Sequence, residues 1–378
     1  MRPGKNSQRT AARLSITDVP KNLKLENVKM DRKLKFSLKT ALIAAAVILM
    51  AFGIPATKAL AGELVIYSGR HYVDAIMDEF TKQTGIKLTF HRGGTVELFN
   101  RMMAEGDRTP ADLLITVDAG TLERARIAGA LHPFTSDVIN LAIPAKLRAP
   151  DNSWVGLTTR TRVIVYNPEL VTQEEIDLLN SYSAVTLPQF KGRLGIRTGS
   201  NVYPQSHAAM MIAQRGEAYT LAWLKGLVRN AGDNIFPSDM RVVEAVAAGE
   251  VHLGLVNNYY VYRGLLDPKW NIPPTRLAYI VPEQATDQLG QAFNISGIAI
   301  SAHSKNKENA VKFIEFLTGA AANADIAQGN HEYPANPAAA ALPQMRPLIE
   351  LRLSPVPLAV MARYMVPAID LIDKAGYR

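Results

Sequence analysis

The chain has 378 residues, no cysteine and a formal charge of +8. The lack of thiols excludes disulfides, zinc-thiolate and iron–sulfur sites, and a cysteine nucleophile. The charge would suggest a nucleic-acid partner, but residues 1–61 hold twelve Lys or Arg against three acidic residues, a net of +9 that leaves −1 for the rest; no nucleic-acid partner is expected.

Residues 1–61 read as a leader with a secretory signal. Arg32, Lys33, Lys35 and Lys39 precede an apolar run over 41–54, and Ala59-Leu60-Ala61 supplies a small-x-small cleavage site, with Met30 as a plausible start. The rival is a membrane anchor, but the run falls short of the roughly 20 residues a span needs. An exported periplasmic protein that starts near Gly62 is expected, monomeric and without a membrane span after cleavage. The remaining length exceeds what one core usually holds, so two domains are expected.

A short strand is expected over 64–67, then the turn Ser68-Gly69-Arg70-His71 and a helix over 72–83 stopped by Thr84-Gly85. A strand over 86–90, an amphipathic helix over 96–104 and a buried strand over 112–117 follow. This β-α-β-α-β rhythm argues for a parallel α/β sheet. Arg160-Thr161-Arg162 precedes a strand over 163–166, and 194–197 is another strand. Thr198-Gly199-Ser200-Asn201 then introduces a helix over 202–214. Helices around 223–228 and 242–248, strands at 277–281 and 295–300, a helix over 307–317 and a Pro367-kinked helix over 361–375 complete the pattern. Between them the apolar strand in VHLGLVNNYYVYR delivers Tyr259 and Tyr260, read as exposed on a loop.

Three places share one layout of apolar strand, short polar turn and tyrosine at a helix start: Tyr72, Tyr203 and the pair Tyr259-Tyr260. Ligands in open α/β sheets bind outside the carboxyl ends of the strands, so these phenols can converge on one cleft. Phenolate, imidazole and carboxylate suit iron, and four phenolates bring −4 against +3 for ferric iron. His71 adds a neutral ligand, and Arg160 or Arg162 can offset the residual charge. Each residue also has a plainer reading. Tyr259 and Tyr260 fit an ordinary aromatic pair at a strand end, Tyr72 a surface residue, and Tyr203 has a rival partner in His207 one turn on. The turn at Ser200 and Asn201 can bind an oxyanion through free backbone N–H groups, alone or beside a metal. The sequence motifs of nucleophile elbows, P-loops and HExxH zinc sites are not present in their required contexts.

SGRHY, EGDRTPADLLITVDAG, TTRTRVIVYN, NNYYVYR, HEYP at 331–334 and the ending AIDLIDKAG together resemble the bacterial periplasmic ferric-ion-binding proteins, the solute receptors of ABC-type iron importers. The resemblance implies an α/β, two-lobed periplasmic binding protein (type II), each lobe a mixed, mostly parallel sheet flanked by helices and joined to the other by hinge strands. The expected N-lobe is 62–160 with 281–335 and the C-lobe 161–280 with 336–378. It implies iron coordination by His71, Tyr259 and Tyr260, and handover to an ABC-type permease. One branch adds a glutamate where this chain has Val117, followed by Asp118, and a carbonate-type anion at the turn matching 200–202, contacted by the residue matching Arg160. A second branch replaces both with tyrosines, and Tyr72 and Tyr203 match it. The expected metal set is therefore His71, Tyr72, Tyr203, Tyr259 and Tyr260, with Arg160, Arg162, Ser200, Asn201 and Asn257 around it. The expected cargo is Fe3+, with Fe2+ left open. The rivals are a binding protein for an oxyanion or small organic anion and a non-haem iron enzyme.

Overall fold

The structure, a computed structural model, describes residues 62–70, 74–345 and 348–378. The leader with its signal sequence, and the candidate ligands His71 and Tyr72, lie outside the described residues. Among the described residues no helix is long and apolar enough to cross a membrane.

The strands are β1 (Gly62–Ser68), β2 (Ile86–Arg92), β3 (Leu113–Thr116), β4 (Leu131–His132), β5 (Trp154–Tyr166), β6 (Leu194–Arg197), β7 (Ile235–Phe236), β8 (Leu253–Asn257), β9 (Ala278–Ile280), β10 (Phe293–Ser301) and β11 (Tyr333–Pro334). They form one sheet in the order β2-β1-β3-β10-β5-β8-β6-β7, with β4 beside β10 and both β9 and β11 beside β5. As the β-α-β rhythm implied, β1 runs parallel to both β2 and β3. The whole sheet is nevertheless mixed, because β10 runs antiparallel to β3 and to β5.

β5 joins the two halves of the sheet. Its first part, Trp154 to Thr161, pairs with β10, and its second part, Arg162 to Tyr166, pairs with β8. The sequence reading placed a strand only at its end, since Thr158 to Arg162 is polar. The β-branched Thr158, Thr159 and Thr161 nonetheless fit a pleated backbone, and all are buried. Alternation holds further along. Val163 and Val165 pack with the helix Asp239–Ala248, while Ile164 faces the larger core on the other side.

Strand direction then locates the cleft. β1 and β3 run toward the Thr161 end of β10's partner segment, whereas β8 and its parallel neighbour β6 run toward Arg162 from the opposite side. The carboxyl ends of both parallel sets therefore face each other across the Thr161–Arg162 crossing.

Helices differ from expectation where periodicity misleads. Ala119–Ile127 is buried around its first turns and Ala320–Asn330 is alanine-rich, so neither shows a clear apolar stripe. The C-terminal helix is not kinked but broken into Leu358–Ala362 and Met365–Lys374. The break leaves Pro367 in a first turn, where its missing N–H costs no helical bond.

Below the crossing, Arg162 forms a buried ion pair with Asp239, 2.8 Å from Nη1 to Oδ2, and its Nη2 donates to the Leu255 carbonyl at 2.6 Å. Asp239 is fully buried and also accepts from the Asn257 backbone N–H at 2.9 Å. Removing one partner strands the other charge in the core, so Asp239→Ala is expected to cost about 3–5 kcal/mol. A urea melt reads this as a lower midpoint; wild-type stability would mean that Arg162 is satisfied without Asp239.

Candidate metal centre

Tyr203 is the second residue of the helix Val202–Arg215, whose N-cap Asn201 accepts the Tyr203 backbone N–H at 2.9 Å. Tyr259 is likewise the second residue of a helix, Asn258–Leu266. The loop expected for the tandem tyrosines is thus a helix start, and Tyr259 is 1% exposed. Both phenols stand in a first turn, where the unpaired N–H groups and the helix dipole favour negative charge.

The two asparagines before the pair fix that helix to the crossing. Asn258 Oδ1 accepts the Thr161 backbone N–H at 2.9 Å, and Asn257 Oδ1 accepts from Arg162 Nη1 at 3.2 Å. Asn257 thus supports the site from below. Arg162, expected to offset charge beside the metal, spends its charge on Asp239.

Other arginines surround the phenols. Arg160 and Arg197 each stand 5.1 Å from the Tyr203 ring centre. Arg70 lies 5.7 Å from the Tyr259 ring, and Arg263 lies 5.6 Å from Tyr259 and 5.3 Å from Tyr260. The Tyr259 and Tyr260 ring centres are 4.3 Å apart. Arg263 follows Tyr259 by four residues and Tyr260 by three, so a helical reading of this stretch would have found it. Arg70, Tyr203, Ser200, Asn201, Val117 and Arg263 line one open cleft.

The Tyr259 hydroxyl is buried without a hydrogen-bond partner among the described residues. Burial, with the Tyr203 and Tyr260 phenols nearby, pushes it well above the usual phenol range. Burial also raises Tyr260, helped by Tyr203 and Asp239. Tyr203, although it comes from a different helix, thus acts electrostatically on both members of the pair. Neutral phenols at this spacing can give up their protons to a hard, highly charged cation, which makes the group a set of latent anionic ligands.

Asp118 and His207 have other work. Among the described residues no group of three His, Asp or Glu stands ready to hold a metal. Asp118, the residue after the expected glutamate position, is fully buried and caps the helix Ala119–Ile127. It accepts the Thr121 N–H at 2.9 Å and Asn294 Nδ2 at 2.7 Å. His207 is packed edge-on between Tyr182 and Trp223, and burial holds it well below the usual imidazole range. It is a core residue. Tyr262 points away from the pair and shares a 2.5 Å contact with the Tyr279 hydroxyl. Ser200 is exposed at the rim, while Arg160 donates through Nη2 to the Val117 carbonyl and keeps Nη1 buried without a partner among the described residues.

Residues 68–324 match the family model described as bacterial extracellular solute-binding protein. The chain is 37% identical over 320 residues to the iron uptake protein A1 of Synechocystis, covering 84% of this chain and 88% of that protein. A Trichodesmium IdiA (FutA) structure in complex with iron and citrate ligands superimposes with a TM-score of 0.75 at 35% identity, covering 84% of this chain and all of that one. The ferric binding protein of Campylobacter jejuni gives 0.74 at 30% identity over 83% of this chain and all of the other.

Because Asp118 acts as a helix cap, Asp118→Ala is expected to lower stability by about 1–2 kcal/mol while leaving metal binding intact. Thermal melts and a metal titration of the variant check this; loss of metal with unchanged stability would make Asp118 a ligand.

Proposed function

Starting from a chain that belongs to the bacterial extracellular solute-binding protein family, we propose that it is a periplasmic receptor that captures Fe3+ in the cleft and delivers it to the permease of an ABC-type iron importer. One observation carries this reading. Tyr203 at one helix N-terminus stands close enough to Tyr259 and Tyr260 at another to act electrostatically on both, and guanidinium groups stand against every ring. Phenolates suit a trivalent iron ion, and the arginines offset the charge that the ion does not neutralise. His71 and Tyr72, adjacent to Arg70 in the chain, complete the proposed shell.

The proposed lobes are 62–160 with 281–335 and 161–280 with 336–378. Partner exchange on β5 between Thr161 and Arg162, and the Arg162 N–H bond to the Ala292 carbonyl just before β10, support a hinge there. Closing about it brings the turn after β1 toward the helix starts at Tyr203 and Tyr259. Five protein ligands leave little room for a substrate on the metal, which favours a carrier over an enzyme. Reduction to Fe2+ loosens the site, since a divalent ion neutralises the phenolates less well, and protonation on opening acts in the same direction.

The Arg160 Nη1 beside Tyr203, buried and without a partner among the described residues, favours a second feature, an anion bound next to the metal. On this reading carbonate or a carboxylate strengthens iron binding without being required for it.

Ferric iron added to the purified protein is expected to produce a visible phenolate-to-iron charge-transfer band. Tyr259→Phe with Tyr260→Phe should abolish it while far-UV circular dichroism stays native; a double variant that keeps tight iron binding would move the site elsewhere. Phenol pKa values raised in the metal-free protein mean that binding expels protons. Apparent affinity should therefore rise with pH, by about tenfold per unit for each proton released. A competition titration across pH reads that slope, and a flat profile would argue against phenolate ligands.

A further inference from the structure

Glu332 is fully buried just before β11, the short strand that pairs with β5 at Thr158 and Thr159. Its Oε2 accepts a 2.6 Å hydrogen bond from Thr158 Oγ1, and its Oε1 forms an ion pair with Arg70. Arg70 belongs to the turn after β1, which Ser68 Oγ closes by accepting the Arg70 N–H at 3.2 Å and donating to the Arg70 carbonyl at 2.7 Å. The same guanidinium stands over the Tyr259 ring. A carboxylate buried in this way is costly, and an apolar residue of similar size would usually serve packing as well or better. The ion pair has a use beyond packing, because it determines where Arg70 holds its charge.

We infer that Glu332 is a positioning residue of the metal site: by holding Arg70 against Tyr259 and anchoring the turn after β1 to the crossing strand, it sets how firmly the cleft retains iron. This rests on the iron-binding reading above. With the carboxylate in place, the guanidinium faces the ring of Tyr259 at fixed distance while its net charge is largely balanced. Without it, Arg70 loses a buried ion pair, its placement against the Tyr259 ring is less firmly set, and the turn after β1 loses a tie to β5. The two charges act on Tyr259 in opposite directions, Arg70 favouring the phenolate and Glu332 opposing it.

The test measures loss of iron to excess EDTA from the full mature protein, followed at the charge-transfer band, for Glu332→Gln, Arg70→Gln and the double variant. Each single variant is expected to lose iron about 10-fold faster or more, with a displaced band maximum. The double variant should be no worse than Arg70→Gln alone, because Glu332 acts through Arg70. Wild-type release and band in Glu332→Gln would overturn the inference, as would effects that multiply in the double variant. Should Glu332→Gln not fold, the double variant, which strands no buried charge, decides: Arg70→Gln kinetics support the inference and wild-type kinetics refute it. Wild-type protein that gives no band refutes the iron reading itself; a normal band in wild type and Glu332→Gln alike refutes only the role of Glu332.

Discussion

β5 bonds to one half of the sheet as far as Thr161 and to the other from Arg162 onward, and the rest of the site depends on that exchange. A strand that changes partners leaves backbone groups needing new ones, and side chains supply them. Asn258 takes the Thr161 N–H, while Tyr182 Oη and Gln291 Nε2 both donate to the Arg162 carbonyl. Every buried N–H or C=O satisfied in this way is also a tether. The one on Asn258 fixes the start of the helix carrying Tyr259 and Tyr260, and the Arg162–Asp239 pair fixes Asn257 just before it. The position of the phenols is thus a by-product of how the chain crosses between the two halves.

Charge is distributed around the cleft according to what a ferric ion would need. Phenols held neutral by burial offer no charge until a strong cation displaces their protons, so in the proposed site cation, phenolates and guanidiniums come together only on loading. A site of the proposed kind would discriminate by valence, because weaker cations do not repay the cost of ionising buried phenols. Release from the proposed site would follow the same logic, since lowering the charge on iron or returning protons to the phenols undoes that loading. Arg162 and Asp239, paired with each other, brace the frame beneath the site.

Much of this was legible in the sequence, for identifiable reasons. Tyr203 and the Tyr259-Tyr260 pair stand out because an apolar strand, a short polar turn and an aromatic helix start make a local pattern. The arginines were harder. Arg263 reads as a neighbour of both tandem tyrosines only once the stretch is seen as a helix, and Arg197 and Arg70 look like ordinary strand-end residues. β5 was half hidden because Thr158, Thr159, Arg160 and Thr161 are polar yet buried, which breaks the apolar signal of a central strand. Glu332 could not be placed at all, as its partners Arg70 and Thr158 are far from it in sequence and meet only through the fold.

The central claim is that tyrosine oxygens bind iron in this cleft. Resonance Raman spectroscopy, excited within the visible band of the iron-loaded protein, tests it most directly, since only vibrations of groups bonded to the metal are enhanced. Strong phenolate ring modes, lost when Tyr259 and Tyr260 are both replaced by Phe, are the predicted result. An iron-loaded protein whose spectrum contains no enhanced phenolate modes would contradict the account.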